Sequence, residues 1–190
     1  MNRIFVCTLV ILIAGCAPYA LKKPGENQAG PLQFETTSPW NKMTQYRPGK
    51  DVEVWTSDGQ LLNSMMIFKG VADGNTLFRT LRKADPMPEF RTDMLPQEIV
   101  DLVVDSLTKH YGDGKVIMTA EALAPLMFAD KQGFKFELSF TNENGLNYLG
   151  KCAAAVVDEE LFMLIYTGTK LYYFDKHASE FEQIVGSMSL

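Results

Sequence analysis

Leu161-Phe162-Met163-Leu164-Ile165-Tyr166 is apolar at every position. A strand sends alternate side chains to opposite faces. The segment therefore puts Leu161, Met163 and Ile165 on one face and Phe162, Leu164 and Tyr166 on the other. A strand apolar on both faces has to be covered on both. That requirement predicts a sheet sandwiched between two layers.

The neighbouring sequence supplies the sheet. Asp158-Glu159-Glu160 reads as a turn, with Leu146 to Val157 as the strand before it. Phe134, Phe136, Leu138 and Phe140 alternate with Lys135, Glu137, Ser139 and Thr141, the pattern of a strand with one buried face. Asn142-Glu143-Asn144-Gly145 joins the two, and Val116 to Leu123 opens the run. Further upstream, Val52 to Thr56 alternates, Ser57-Asp58-Gly59 turns, and Gln60 to Val71 returns as a longer strand. Asp73-Gly74-Asn75 turns again, and Leu77 to Glu89, with Asp85-Pro86-Met87-Pro88, reads as an irregular loop.

Two segments supply cover. Pro96 to Tyr111 has proline at a first helical position and Glu98 in the first turn. Ile99, Val103 and Leu107 share one face, and Gly112-Asp113-Gly114 stops the helix. From Asp175 to Met188, residues Ala178, Phe181, Ile184, Val185 and Met188 recur at helical spacing, with Glu180, Glu182 and Gln183 read as facing away. The predicted class is α+β: one globular domain over 38–190, an antiparallel sheet sandwiched by helices.

The order of hairpin, helix, antiparallel meander and closing helix resembles the Mog1/PsbP-like fold over about residues 50–190. The end carries most of the resemblance: the strand at Leu161 to Tyr166, the pair Tyr173-Phe174, then Phe181-Glu182-Gln183-Ile184-Val185-Gly186-Ser187. The resemblance implies an α/β/α sandwich in a family whose better-known members bind or help assemble other proteins and are not enzymes. It carries over no functional residue.

The N-terminus reads as an address. Arg3 precedes the apolar run Ile4 to Ala14, which is shorter than the ~20 residues a membrane-spanning helix needs and has the make-up of a secretory signal. Ile13-Ala14-Gly15-Cys16 resembles the lipobox of bacterial lipoproteins. That resemblance implies cleavage after residue 15, acylation of Cys16, and a cell-envelope location. Ala17 in place of Asp implies the outer membrane, facing the periplasm, in a two-membrane organism. A plain secretory signal, or a buried apolar segment with an incidental Cys, are the other readings. Pro18, Pro24, Gly25, Gly30 and Pro31 give 16–37 a linker composition, so a flexible tether is expected there. The alternative has Phe34 and Trp40 tucked against the domain.

Removing residues 1–15 leaves 175 residues, enough for one core, with 17 Lys and Arg against 23 Asp and Glu and a net charge of −6. That sign argues against nucleic acid or anionic lipid as partner. Cys152 is then the remaining thiol, and its setting Gly150-Lys151-Cys152-Ala153-Ala154-Ala155 reads as packed strand. No cofactor or metal is expected. His110 and His177 lie in no metal-ligand spacing. His110 reads as a cation at a helix C-terminus and His177 as a surface residue. The Asp158-Glu159-Glu160 turn reads as a solvated hairpin tip. Neither a G-x-S-x-G elbow nor a phosphate-binding glycine loop is present.

One stretch stands out in an acidic chain. Arg79, Arg82, Lys83 and Arg91 interleave with Phe78, Met87, Phe90 and Met94, and a basic-aromatic loop is a candidate partner surface. The alternative is that its aromatic residues plug the core. The reading is a membrane-anchored, non-catalytic protein-binding or assembly module. A small-ligand or hydrolytic cleft between sheet and helix, and a structural spacer, are the alternatives.

Overall fold

The computed structural model describes residues 18–190. Its order is β1 (Tyr19–Lys22), β2 (Gly25–Ala29), β3 (Leu32–Thr36), β4 (Trp40–Met43), β5 (Val52–Thr56), β6 (Asn63–Ala72), α1 (Pro96–Tyr111), β7 (Val116–Phe128), β8 (Lys131–Asn142), β9 (Asn147–Val157), β10 (Glu160–Thr169) and α2 (Tyr173–Gly186). Eight strands form one antiparallel sheet in the order β1-β4-β5-β6-β10-β9-β8-β7, and β2–β3 is a separate hairpin.

Strand β10 lies inside the sheet between β6 and β9 and splits as its sequence requires. Leu161, Met163 and Ile165 join the core under α1 with Phe68, Phe136, Val103 and Leu107. Phe162, Leu164 and Tyr166 join the core under α2 with Phe34, Trp55, Phe181 and Ile184. Each fully buried large apolar side chain contributes about 1.5–3 kcal/mol of transfer free energy. Large residues meet small ones across β8 and β9: Phe134 pairs with Ala154, Phe136 with Cys152 and Leu138 with Gly150. That alternation lets two central strands pack at interior density.

Both helices end where local chemistry demands. The Glu98 side chain accepts from the Leu95 N–H at 2.7 Å, satisfying one of the free donors at the start of α1. Gly112 follows its last residue at φ 107, a conformation suited to glycine. Helix α2 begins against β10, where a Cβ at Gly168 would lie 2.7 Å from the Phe174 backbone.

The segment read as a tether is folded from Tyr19 onward, which corrects the expected boundary. β1 pairs with β4 along Tyr19–Lys22, and the β2–β3 hairpin buries Ala29, Leu32 and Phe34 against α2. Gln33 exchanges backbone hydrogen bonds with Ser189 at 3.0 and 2.9 Å. Alternation in Leu32-Gln33-Phe34 drives this, buried then exposed then buried. Prolines and glycines there serve as hairpin punctuation, not linker. Two further boundaries move. β7 runs on to Phe128 through a register shift between Glu121 and Ala124, with Ala122 at φ 57. α2 starts at Tyr173.

Candidate functional site

The loop between β6 and α1 is pinned from within. Phe78 is 1 % and Phe90 0 % exposed, so these two aromatic residues are core plugs and not partner surface, as is the buried Met87. The sequence interleaves ring and cation, and the chain turns the rings in and the cations out. Phe90 N–H donates to Asn75 O, and Gly74 N–H to Phe90 O, both at 2.8 Å. Lys109 at the end of α1 clasps the loop from its other side, bonding the Asp85 carboxylate and, at 3.0 Å, Pro86 O. That lysine pulls Asp85 below the ordinary carboxylate range.

What the loop presents outward is basic and partly apolar. Arg79, Arg82, Lys83 and Arg91 are all exposed. Arg91 pairs with Asp93 at 3.1 Å. No ion pair is formed by Arg79, Arg82 or Lys83 among the described residues. Leu81, between them, is 78 % exposed, and Leu95 at the loop's end is 66 % exposed. Neither leucine figured in the sequence reading, although Leu81 stands inside the basic run. Beside them a concavity of about 310 Å³ is walled by Leu81, Arg82, Asp85, Lys109 and His110.

Helix α1 closes this site with His110, which is not the charged helix-end residue expected. Its ring stacks on Phe78 at 4.3 Å between centroids, and Nε2 lies 2.6 Å from the Tyr46 hydroxyl. Burial pushes its pKa down, so the imidazole is neutral at pH 7 and Lys109 carries the charge.

His177 and Glu180, read as surface residues, are each 5 % exposed. They stand three apart, on one side of α2 with Phe181 and Ile184. That spacing was the available signal. His177 Nε2 lies 2.9 Å from Asp58 Oδ2, and Nδ1 lies 3.4 Å from Glu180 Oε2. Glu180 also accepts from Thr37 N at 3.0 Å, Ser38 N at 2.9 Å and Trp40 Nε1 at 3.2 Å, and from the Ser38 hydroxyl. Burial alone would raise the Glu180 carboxyl; His177, Ser38 and Trp40 outweigh it and hold the pKa at about 2. Glu180 and then Asp58 push His177 up against the opposing effect of burial. The result is an ion triad that staples the N-terminal segment and the β5–β6 turn to α2.

With Ser38 beside it, the triad brings together a histidine, two acids and a serine, but not in the geometry of a nucleophilic relay. Both imidazole nitrogens face carboxylates, and the Ser38 hydroxyl bonds Glu180 instead of the ring. A general base needs a free nitrogen within reach of the proton it removes. Cys152 is 1 % exposed, and burial drives its thiol pKa well up, which makes it an inert core residue. Asp158 and Glu159 form an exposed turn at φ 48 and 66, the left-handed geometry of a two-residue hairpin. Among the described residues no group of three or more His, Cys, Asp or Glu is placed to hold a metal ion. Cys16 lies outside the described residues. No helix among the described residues is long and apolar enough to cross a membrane.

No family model matches the chain, and no curated protein matches it. Solved structures do. The solution structure of cyanobacterial PsbP (CyanoP) from Synechocystis sp. PCC 6803 is similar with a TM-score of 0.58 at 9 % identity, covering 95 % of this chain and 97 % of that one. A crystal structure from Bacteroides thetaiotaomicron VPI-5482 is similar with a TM-score of 0.51 at 12 % identity, covering 88 % of this chain and 48 % of that one. At such identities the likeness is one of architecture, and the chain has the PsbP-like α+β fold.

Proposed function

We propose that the chain is a cell-envelope lipoprotein, acylated at Cys16, whose folded domain is a non-catalytic module that binds a partner protein through the loop at residues 79–95. The observation that carries this reading is the exposed trio Arg79, Arg82 and Lys83 around Leu81, on a loop pinned by Phe78, Met87 and Phe90. A preorganised surface loses little entropy on binding. Unpaired cations around an apolar residue suit a partner with an acidic rim and an apolar centre. The PsbP-like fold is consistent with an accessory role, and the lipobox-like segment supports the anchor.

The test is crosslinking in native membranes followed by mass spectrometry. It compares wild type, an Arg79→Glu/Arg82→Glu/Lys83→Glu variant and Cys16→Ser. One partner, lost in the charge-reversed variant and depleted in Cys16→Ser, is the expected result. An unchanged partner set in the charge-reversed variant rejects the loop. A second reading rests on the concavity beside His110, which could hold a small anionic ligand between Arg82 and Lys109. A metabolite that raises Tm in wild type but not in Lys109→Ala would support it.

A further inference from the structure

A second basic surface lies around β1 and the β4–β5 loop. Ala20 and Lys22 of β1, Lys42 of β4, Tyr46, Arg47 and Lys50 of the β4–β5 loop, and Lys69 of β6 wall a groove of about 570 Å³. Five cations line it, with one carboxylate, Glu53. Lys42 and Lys69 pair with it at 2.9 and 3.4 Å. Lys22 lies over the Trp55 ring at 5.1 Å. Arg47 and Lys50 are exposed and, among the described residues, make no ion pair. A chain of net charge −5 thus keeps a concave surface of the opposite sign, with low-dielectric walls that focus its field.

Position gives the groove a partner. Ala20, in its wall, is four residues from Cys16, so at most about 14 Å of extended chain separates them. Pro18 O accepts from Thr44 N at 3.0 Å, which fixes the point of chain entry beside the β4–β5 loop.

We infer that this groove seats the phosphate-bearing headgroups of the membrane to which the chain is attached, so that the domain lies against the bilayer in a fixed orientation. The inference rests on the proposed Cys16 anchor. With Tyr19, three residues after Cys16, already paired in the sheet, an anchored domain has no long tether on which to stand clear. Lys22, Arg47 and Lys50 face the phosphates, while Glu53 holds Lys42 and Lys69 in place. The loop at 79–95 is then held at a set height for its partner, because Arg79 N–H bonds Pro48 O at 2.8 Å in the β4–β5 loop.

The test is vesicle sedimentation of the full chain carrying Cys16→Ser, so that the apolar leader contributes equally in every arm. The probes are phosphatidylcholine vesicles with and without phosphatidylglycerol. Binding is expected only with phosphatidylglycerol, and Arg47→Glu/Lys50→Glu is expected to weaken it at least about tenfold, given roughly fivefold for each cation near an anionic surface. Lys131→Glu/Lys135→Glu, the same charge change on β8, is expected to leave it within about twofold. Equal losses in the two variants, or none in either, would overturn the inference. Displacement by inorganic phosphate at constant ionic strength would assign the groove to a free ion and overturn the lipid source. Labelling of wild type with radioactive palmitate reads the anchor separately. Label at Cys16 with unaltered groove variants sinks this inference alone, and no label with selective vesicle binding sinks the anchor alone.

Discussion

The two faces of the sheet solve the same burial problem with different chemistry, and their histidines show it. Under α1, the sheet meets Ile99, Val103 and Leu107 with Phe78 and Phe90 from the loop, and His110 is a neutral plug stacked on Phe78. Under α2, the cover is composite. One helix and a two-stranded hairpin share it, and His177 sits between the carboxylates of Asp58 and Glu180. Burial lowers the pKa of the first imidazole, and two carboxylates raise that of the second. The apolar face is built for tolerance of its neighbours. The ionic face is built for position, because a buried charge forces its partners into one arrangement. Here the partners are the Thr37–Trp40 segment and the β5–β6 turn, so the triad fixes how the N-terminal strands, and with them the basic groove, sit on the domain.

The largest expected effect breaks the ionic face. Glu180→Ala leaves His177 with Asp58 alone and strips the acceptor from Thr37, Ser38 and Trp40; about 3–5 kcal/mol should be lost. Urea unfolding measures it, and a loss under 1 kcal/mol would mean the triad fixes nothing. Phe90→Ala is the matching cut on the other face. It should cost about 3–4 kcal/mol as a cavity and raise proteolysis within residues 79–95, whereas Glu180→Ala should raise it within 23–40. Identical cleavage patterns would erase the distinction between the faces.

Acidity sharpens the contrast without a large perturbation. Glu180 falls to about 2 on folding from an ordinary 4.5, so its contribution is present above about pH 4.5 and is lost as pH drops toward 2. His177 is raised above 6.5, so its contribution is complete below about pH 6.5 and lost as pH climbs through the folded value. His110 has the opposite sign: lowered on folding, it penalises the fold as pH falls below about 6.5. His177→Gln should therefore flatten the alkaline side of a stability–pH curve, and His110→Gln the acid side between about pH 6.5 and the folded value. Changes on the same side would contradict the assignment. The smallest effect is expected at Ser106, whose buried hydroxyl has no hydrogen-bond partner among the described residues. Ser106→Ala should be neutral or stabilising by up to about 1 kcal/mol, and a loss of more than that would reveal a hidden polar contact in the apolar face.

The α1 face was the more legible in the sequence. Pro96–Tyr111 carries proline, acid and glycine punctuation, and Phe134 to Phe140 a strict period of two. The ionic face was hidden because a histidine and a glutamate on a helix read as solvated by type, and only their spacing from Phe181 places them inward. The β1–β3 region was hidden by its prolines and glycines, which serve a hairpin and a linker equally. The candidate site was half legible. Cation clustering marked the loop, but composition cannot say which way an interleaved aromatic turns, so the sequence leaves Phe78 and Phe90 open as partner surface or core plugs. The groove was illegible because its cations come from β1, β4, the β4–β5 loop and β6, and meet only when the sheet forms.

The most direct measurement compares two exposed leucines. Leu81 is 78 % exposed inside the basic loop, and Leu171 is 91 % exposed between β10 and α2. A photo-crosslinking residue is placed at each position in turn, in the full chain in native membranes. The account predicts one discrete protein adduct from position 81, abolished by Arg82→Glu, and none from position 171. Equal adducts from both positions, or none from position 81 in a protein that reaches the membrane, would contradict it.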